Sequence, residues 1–528
     1  MKVPHKIALI AGFASLFLTV FPAGKYLISQ ASAAELNRAI LPPTPTPKPS
    51  LPPAPKPIQT LDNLQAKIRQ RLSASEVQRG RIGVKIVSLA TGKVIFENDA
   101  EKYFVPASNM KNFTIAAALE KLGPDFRFVT SVYAAAKPDA AGTINGDLRI
   151  FGRGDLSIST AFNNGDYYKG LDNLVDKIAA AGVKRIEGDL VGDESYFKGF
   201  AIPQTWEWND LQWYDGAEIS ALPINNNSVD LTIKPGATGQ QCIVSVLPQT
   251  PNLMPVTNTC RTTASGSRTL KVFKPLNRNL LEISGTMPVG DKGFVGYIAL
   301  THPADLFIAM LKQRLQIKGV TIAGQARVLP ISLKLWGIEI AQLESPPFSV
   351  IAAQTMKPSQ NMFAETILWE LGEQLDWQAS PDADSSTLGL NIVRKFLRQI
   401  GVADDAIIQY DGSGLSRHDQ VTPSAVVVLY TYMAKQSRNA QVWSDSLTVG
   451  GVDGTLSKRF VGTAATGNIR GKTGTLDQVS ALSGYLTTAG GEEVVVSIFV
   501  NGVAETHVRT SLIDDIVVQL AAFNGKID

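Results

Sequence analysis

Histidine and cysteine are nearly missing from this chain, with four and two among its 528 residues. His5 falls in the N-terminal leader, so only His302, His418 and His507 remain for chemistry. None has a Gly-x-Ser-x-Gly elbow beside it, which leaves a Ser-His-Asp triad open only through His418. There is no His-x-x-x-His pair and no Cys/His cluster of the spacing that holds zinc, and no cofactor is implied. The Arg153-Gly154-Asp155 triplet reads as a turn.

An excess of basic charge is also lacking. The net charge is +3, but six basic residues and one acidic residue lie in the first 58 positions, so the rest of the chain is slightly acidic. No basic footprint for nucleic acid survives once that leader is set aside. Long apolar runs are scarce as well. Ile7–Phe21 spans about fifteen residues, short of the roughly twenty that cross a bilayer. Lys2 and Lys6 precede it and Ala31-Ser32-Ala33 follows, the pattern of a signal peptide over residues 1–33 and hence of export to the periplasm or another extracytoplasmic space. An uncleaved anchor running on through Tyr26-Leu27-Ile28 would give loose membrane association, although Pro22, Gly24 and Lys25 interrupt it. Outside the cytoplasm the two cysteines, Cys242 and Cys260, can form one disulfide worth roughly 3 kcal/mol; two buried thiols are the alternative.

Proline, by contrast, is concentrated. Nine prolines stand between Pro42 and Pro57, so residues 34–60 read as a linker whose proline stretch, residues 40–58, is extended over on the order of 50 Å. The folded part opens with an amphipathic stretch, Leu61–Leu72. A hairpin follows over Gly83–Leu89 and Lys93–Phe96, and then a helix over Asn109–Leu122, stopped by Gly123-Pro124. Many short apolar runs between turn residues mark 134–343 as a β-rich insertion. Within it, helix–turn–strand stretches at Leu171–Val191 and Leu306–Val328 share a plan that suggests a duplication. Helices return at Met362–Leu371, Leu390–Ile400 and after Thr422-Pro423. The chain closes with strands Ile469–Lys472, Leu482–Leu486 and Val494–Val500 and the helix His507–Ala521.

Three short motifs carry the chemistry: Ser108-Asn109-Met110-Lys111, Ser359-Gln360-Asn361 and Lys472-Thr473-Gly474. A serine hydroxyl needs a base before it is nucleophilic, and these segments offer a lysine base, a proton relay and a cationic anchor without histidine. A chain this long holds roughly two Ser-x-x-Lys matches by accident, and a second, Ser195–Lys198, is present. Lys-Thr-Gly is expected only roughly 0.1 times and occurs once. Context separates the copies. Ser108 stands at a helix start, where Lys111 lies on the same face one turn on. Ser195 stands in a loop, and Ser437-Arg438-Asn439 in a polar segment between helices. Ser359, after Pro358 and before a helix, is also a natural helix cap.

With these residues placed, the chain resembles the class C low-molecular-mass penicillin-binding proteins, the D-alanyl-D-alanine carboxypeptidase/endopeptidases of peptidase family S13. Asp411-Gly412-Ser413-Gly414-Leu415-Ser416-Arg417 and Gly451-Val452-Asp453-Gly454-Thr455-Leu456 also look like that family's segments. The resemblance implies an α+β multidomain fold. Its transpeptidase or β-lactamase-like unit, an antiparallel sheet between helices, would span 61–133 and 344–528, with 134–343 inserted. It implies that Ser108 forms an acyl-enzyme, Lys111 is the base and Ser359 relays a proton. Asn361 would hold Lys111 and the substrate amide, and Lys472, Thr473, Gly474 and Thr475 would bind the substrate terminus. Arg417 and Asp210 are softer candidates for the stem-peptide side chain, against a surface arginine and a loop cap. Gln360 departs from the Asp common at that place. The implied partners are peptidoglycan peptides and β-lactams. A serine β-lactamase is the competing enzyme, although no Glu-x-x-x-Asn loop precedes Lys472, and a non-catalytic β-lactam sensor or scaffold is the other alternative.

Overall fold

The computed structural model describes residues 57–249, 253–329, 337–376, 378 and 383–527; the expected signal peptide and nearly all of the linker lie outside them. Its centre is an antiparallel sheet of six strands. Their order is Val94–Asn98, Arg81–Ser88, Glu493–Asn501, Val479–Thr487, Arg470–Leu476 and Thr448–Val449. The run Val494–Val500 is apolar except for Ser497 because both of its faces are covered. Val494, Val496, Ile498 and Val500 point into one core with Leu64 and Ile68 of helix Leu61–Leu72 and Leu512, Ile513 and Ile516 of helix Thr506–Ala521. Val495 and Phe499 point the other way, against Phe113, Phe348, Ile367 and Val426 from four helices. Alternation along one strand thus sets the helix–sheet–helix layering.

The segment from Val129 to Glu344 begins and ends as adjacent antiparallel strands, Val129–Ala134 and Ile338–Glu344, paired Ser131 with Gln342. Its own core runs from Val132 to Leu343. The two expected helix–turn–strand stretches are helices Lys169–Ala180 and Pro303–Ile317 with the strands that follow them. Each expected strand is broken in two, into Arg185–Ile186 and Leu190–Asp193, and into Thr321–Ile322 and Ala326–Leu329. The break falls at Gly188 and Gly324, where the backbones stack so closely that an added Cβ would lie 2.4 Å from Gly146 C and 2.3 Å from Gly188 O. A third copy, Thr143–Ile144 and Leu148–Phe151, pairs in parallel with Arg185–Ile186 and Leu190–Asp193, which stand between it and the other copy. Arg327 bonds both Asp189 and Asp147, tying the three rungs together. Cys242 and Cys260 are bonded, with Cα atoms 5.4 Å apart. Among the described residues no helix is long and apolar enough to cross a membrane.

Candidate active site

The helix expected from Asn109 has a different start. A 3-10 turn covers Ala107–Met110 and the α-helix begins at Lys111. Ala107 sits at φ 48°, so the chain folds sharply just before Ser108 and presents its hydroxyl at the mouth of the helix. Lys111 remains three residues on, and its Nζ lies 2.9 Å from Ser108 Oγ. The same Nζ bonds Asn361 Oδ1 at 2.6 Å and the Ser413 carbonyl at 2.8 Å. Asn361 Nδ2 donates to Asp215 O at 3.0 Å, which fixes the amide with its oxygen toward the lysine.

Ser359 does not cap the following helix. Gln360 is the residue at the cap position of Asn361–Leu375, and it makes no side-chain cap bond. Ser359, held at φ 69°, instead accepts a hydrogen bond from Lys472 Nζ at 2.8 Å. Strand Arg470–Leu476 runs beside the Ser108 turn and is joined to it by Asn109 Nδ2 on Lys472 O at 3.0 Å. Gly474 allows that approach: a Cβ there would come within 2.5 Å of Pro106 O and 3.2 Å of Ser108 N. Thr473 Oγ1 meets Thr455 Oγ1 at 2.7 Å, and Thr475 is exposed on the same strand.

Both lysines are fully buried. Burial pulls Lys111 down to about 8, against the opposing pull of Asp411, Glu365, Asp215 and Asp419. Burial first, and then the charge of Lys111, draws Lys472 well below the ordinary lysine range. Arg417 and Asp210 do meet, at 3.1 Å, and Glu207 joins the same guanidinium at 3.1 Å. Ser195 lies in a turn, and Ser437 and Asn439 are spent on Glu120 and Leu119 O. His418 is exposed beside Tyr410 and takes no part in the constellation.

A serine, two lysines and an asparagine from three distant segments therefore share one crevice. The model of the D-Ala-D-Ala carboxypeptidase 3 (S13) family matches residues 64–523. The chain belongs to this family. Over 456 residues it is 33% identical to the D-alanyl-D-alanine carboxypeptidase of Actinomadura sp. (strain R39), covering 84% of this chain and 81% of that one. It is 27% identical over 431 residues to D-alanyl-D-alanine carboxypeptidase DacB of Haemophilus influenzae, covering 80% and 85%. The crystal structure of penicillin binding protein 4 (dacB) from Haemophilus influenzae shares the fold, with a TM-score of 0.74 at 24% identity over 86% of this chain and 99% of that one. A structure of that protein complexed with a β-lactam gives a TM-score of 0.69 at 23% identity, over 86% and 98%. This S13 chain is a serine peptidase.

The sequence motifs leave part of the S13 site unread. Trp206 of the insertion donates Nε1 to Asp411 Oδ2 at 2.9 Å, and Asp411 also accepts from Gly414 N and Ser416 N. Asp215 supplies the carbonyl behind Asn361. Glu365 accepts from the backbone of Gly412 and Ser413. The available signal for Glu365 is an acid four residues after the motif asparagine, one helical turn on.

Proposed function

We propose that this S13 chain is a DD-carboxypeptidase, with DD-endopeptidase action on cross-linked stem peptides, exported to the cell wall and acylated by β-lactams. The contact that carries this reading is Lys111 Nζ on Ser108 Oγ at 2.9 Å. A neutral amine has two hydrogens and one lone pair. Asn361 Oδ1 and the Ser413 carbonyl are acceptors and take both hydrogens, so the lone pair is left for the Ser108 proton.

Ser108 Oγ attacks the carbonyl of the D-Ala-D-Ala bond while its proton passes to Lys111. The developing oxyanion is met by the N–H groups of Ser108 and Thr475, a type of interaction worth roughly 3–4 kcal/mol. Ser359 passes a proton to the leaving amine and is reprotonated with the proton that Lys111 took, which leaves Lys111 neutral, and the C–N bond breaks to release D-alanine and leave the acyl ester. Water then attacks the ester, and its proton returns through Lys111 to Ser108. Lys472, Thr473 and Thr475 hold the terminal carboxylate, which supplies the counter-charge that buried Lys472 otherwise lacks. Gly474 keeps the strand close to Ser108. Arg417, with Asp210 beside it, meets the stem-peptide side chain, the arginine taking a carboxylate and the aspartate an amine. The segment 134–343 acts as one inserted unit whose 206–215 stretch completes the site.

The test uses labelled penicillin and a peptide ending in D-Ala-D-Ala. The expected result is a stable adduct on Ser108 and release of D-alanine. Lys111→Ala lowers the labelling rate by about 10²–10⁴-fold while the protein stays folded. Rapid hydrolysis of the penicillin would favour a β-lactamase, an adduct without D-alanine release a sensor, and unchanged labelling in Lys111→Ala would remove lysine as the base.

A further inference from the structure

We infer that Glu365 is a positioning residue for the Lys111 base, acting by gripping the backbone of Gly412 and Ser413 so that the Ser413 carbonyl faces the amine. The inference rests on Lys111 being the base. Asn361 and Glu365 are four residues apart on the helix Asn361–Leu375 and so share a face. Asn361 takes one amine hydrogen directly, at 2.6 Å. Glu365 controls the acceptor of the other from one turn below. Its Oε1 accepts from Gly412 N at 3.0 Å and Ser413 N at 2.7 Å, and its Oε2 from Gly412 N at 2.9 Å.

The loop is held on its other side by Asp411, which accepts from Gly414 N at 2.6 Å and Ser416 N at 2.7 Å. The amides on both sides of the Ser413 carbonyl are therefore bound by carboxyl groups, while the carbonyl itself turns to Lys111 at 2.8 Å. Rotating that peptide would cost the lysine its second acceptor and free its lone pair from Ser108. A buried carboxyl group is an expensive way to fasten a loop. Glu365 is fully buried. Both of its oxygens accept N–H groups, which a carboxylate does and a neutral acid can do with its single O–H turned aside, whereas an amide in its place would set its N–H₂ against one of them. Burial, and then the charge of Asp411, push its pKa up to about 8.

The charged and titratable groups around Lys111 are Glu365 from its own clamp, Asp411 and Asp419 from the loop, Asp215 from the insertion, and Lys472 from the sheet. A pH profile alone would mix these effects. The decisive readout is the split between non-covalent binding and acylation, followed by stopped flow with a fluorescent penicillin on the full-length chain. Glu365→Gln is expected to slow the acylation step by at least about tenfold while the dissociation constant of the first complex stays at its wild-type value, since the carboxylate anchors are untouched. Gly412→Ala is the charge-neutral companion. Its Cβ would lie 2.8 Å from Ala364 O and 3.0 Å from Leu368 Cβ, lifting the same loop off the same helix, and it is expected to slow the same step. If Glu365→Gln does not fold, Gly412→Ala decides. Wild-type acylation in either folded variant, or slowing through weaker binding alone, would overturn the inference. Loss of labelling in Lys111→Ala beside full acylation in Glu365→Gln would reject the clamp and leave the proposed function standing.

Discussion

At the scale of single residues, the site is governed by what burial does to two ammonium groups. An ammonium out of water loses its hydration, so the neutral amine is favoured. For Lys111 this outweighs four nearby carboxyl groups and leaves the side chain at about 8. The sign of the pH dependence follows. The base is the unprotonated amine, present above that value and lost below it. Acylation by penicillin is therefore expected to fall tenfold per pH unit well below 8 and to level off above it, measured as the second-order rate constant between pH 5.5 and 9.5. A profile flat from pH 6 to 9 would mean that the proton of Ser108 goes elsewhere.

At the scale of elements, two loops and a strand must approach more closely than ordinary side chains allow. Gly414, at φ 81°, lies so near the Ser108 turn that a Cβ would sit 1.8 Å from Ala107 O. Gly414→Ala must therefore push the turn that carries the nucleophile, and a displacement near 1 Å is enough to lower reactivity about 10²-fold. Penicillin labelling against time measures this; labelling at the wild-type rate would show that the turn yields without moving Ser108. The same closeness explains what could be read from the chain. Ser108 and Lys111 were legible because a helical turn enforces their distance, and the strand Glu493–Asn501 because its apolar run reveals burial on both faces. Glu365, Asp215 and Trp206 were not. Their partners are backbone groups or side chains 47, 205 and 146 positions away, and nothing in local spacing records such a bond. The split strands of the insertion were hidden for a like reason, since a rung broken at glycine reads as one continuous strand.

At the scale of the whole molecule, the buried carboxyl groups set stability against activity. Burial pushes Glu365 and Glu370 up to about 8 and Asp155 to about 6. In each case the folded chain keeps a proton that the unfolded chain releases near pH 4 to 5. Between about 4.5 and 8 the folded state binds more protons, so stability is greatest on the acid side of that window and declines as pH rises through it. Lys111 acts oppositely, adding stability only as pH climbs from about 8 toward the ordinary lysine value, and Lys472, also drawn down by burial, acts in the same direction. The base thus becomes active where the carboxyl groups are losing their stabilising protons. Glu370 separates the two effects, because it lies on the helix of Asn361 but bonds Gln374 at 2.9 Å and has no contact with the lysines. Glu370→Gln keeps a neutral hydrogen-bonding group at every pH. Its melting temperature is expected to fall less than that of the wild-type chain between pH 5 and pH 8, while the midpoint of the acylation profile stays unchanged. Melting curves that run parallel across that range would show that Glu370 is ionised in the folded protein and that the acid-side stability has another source.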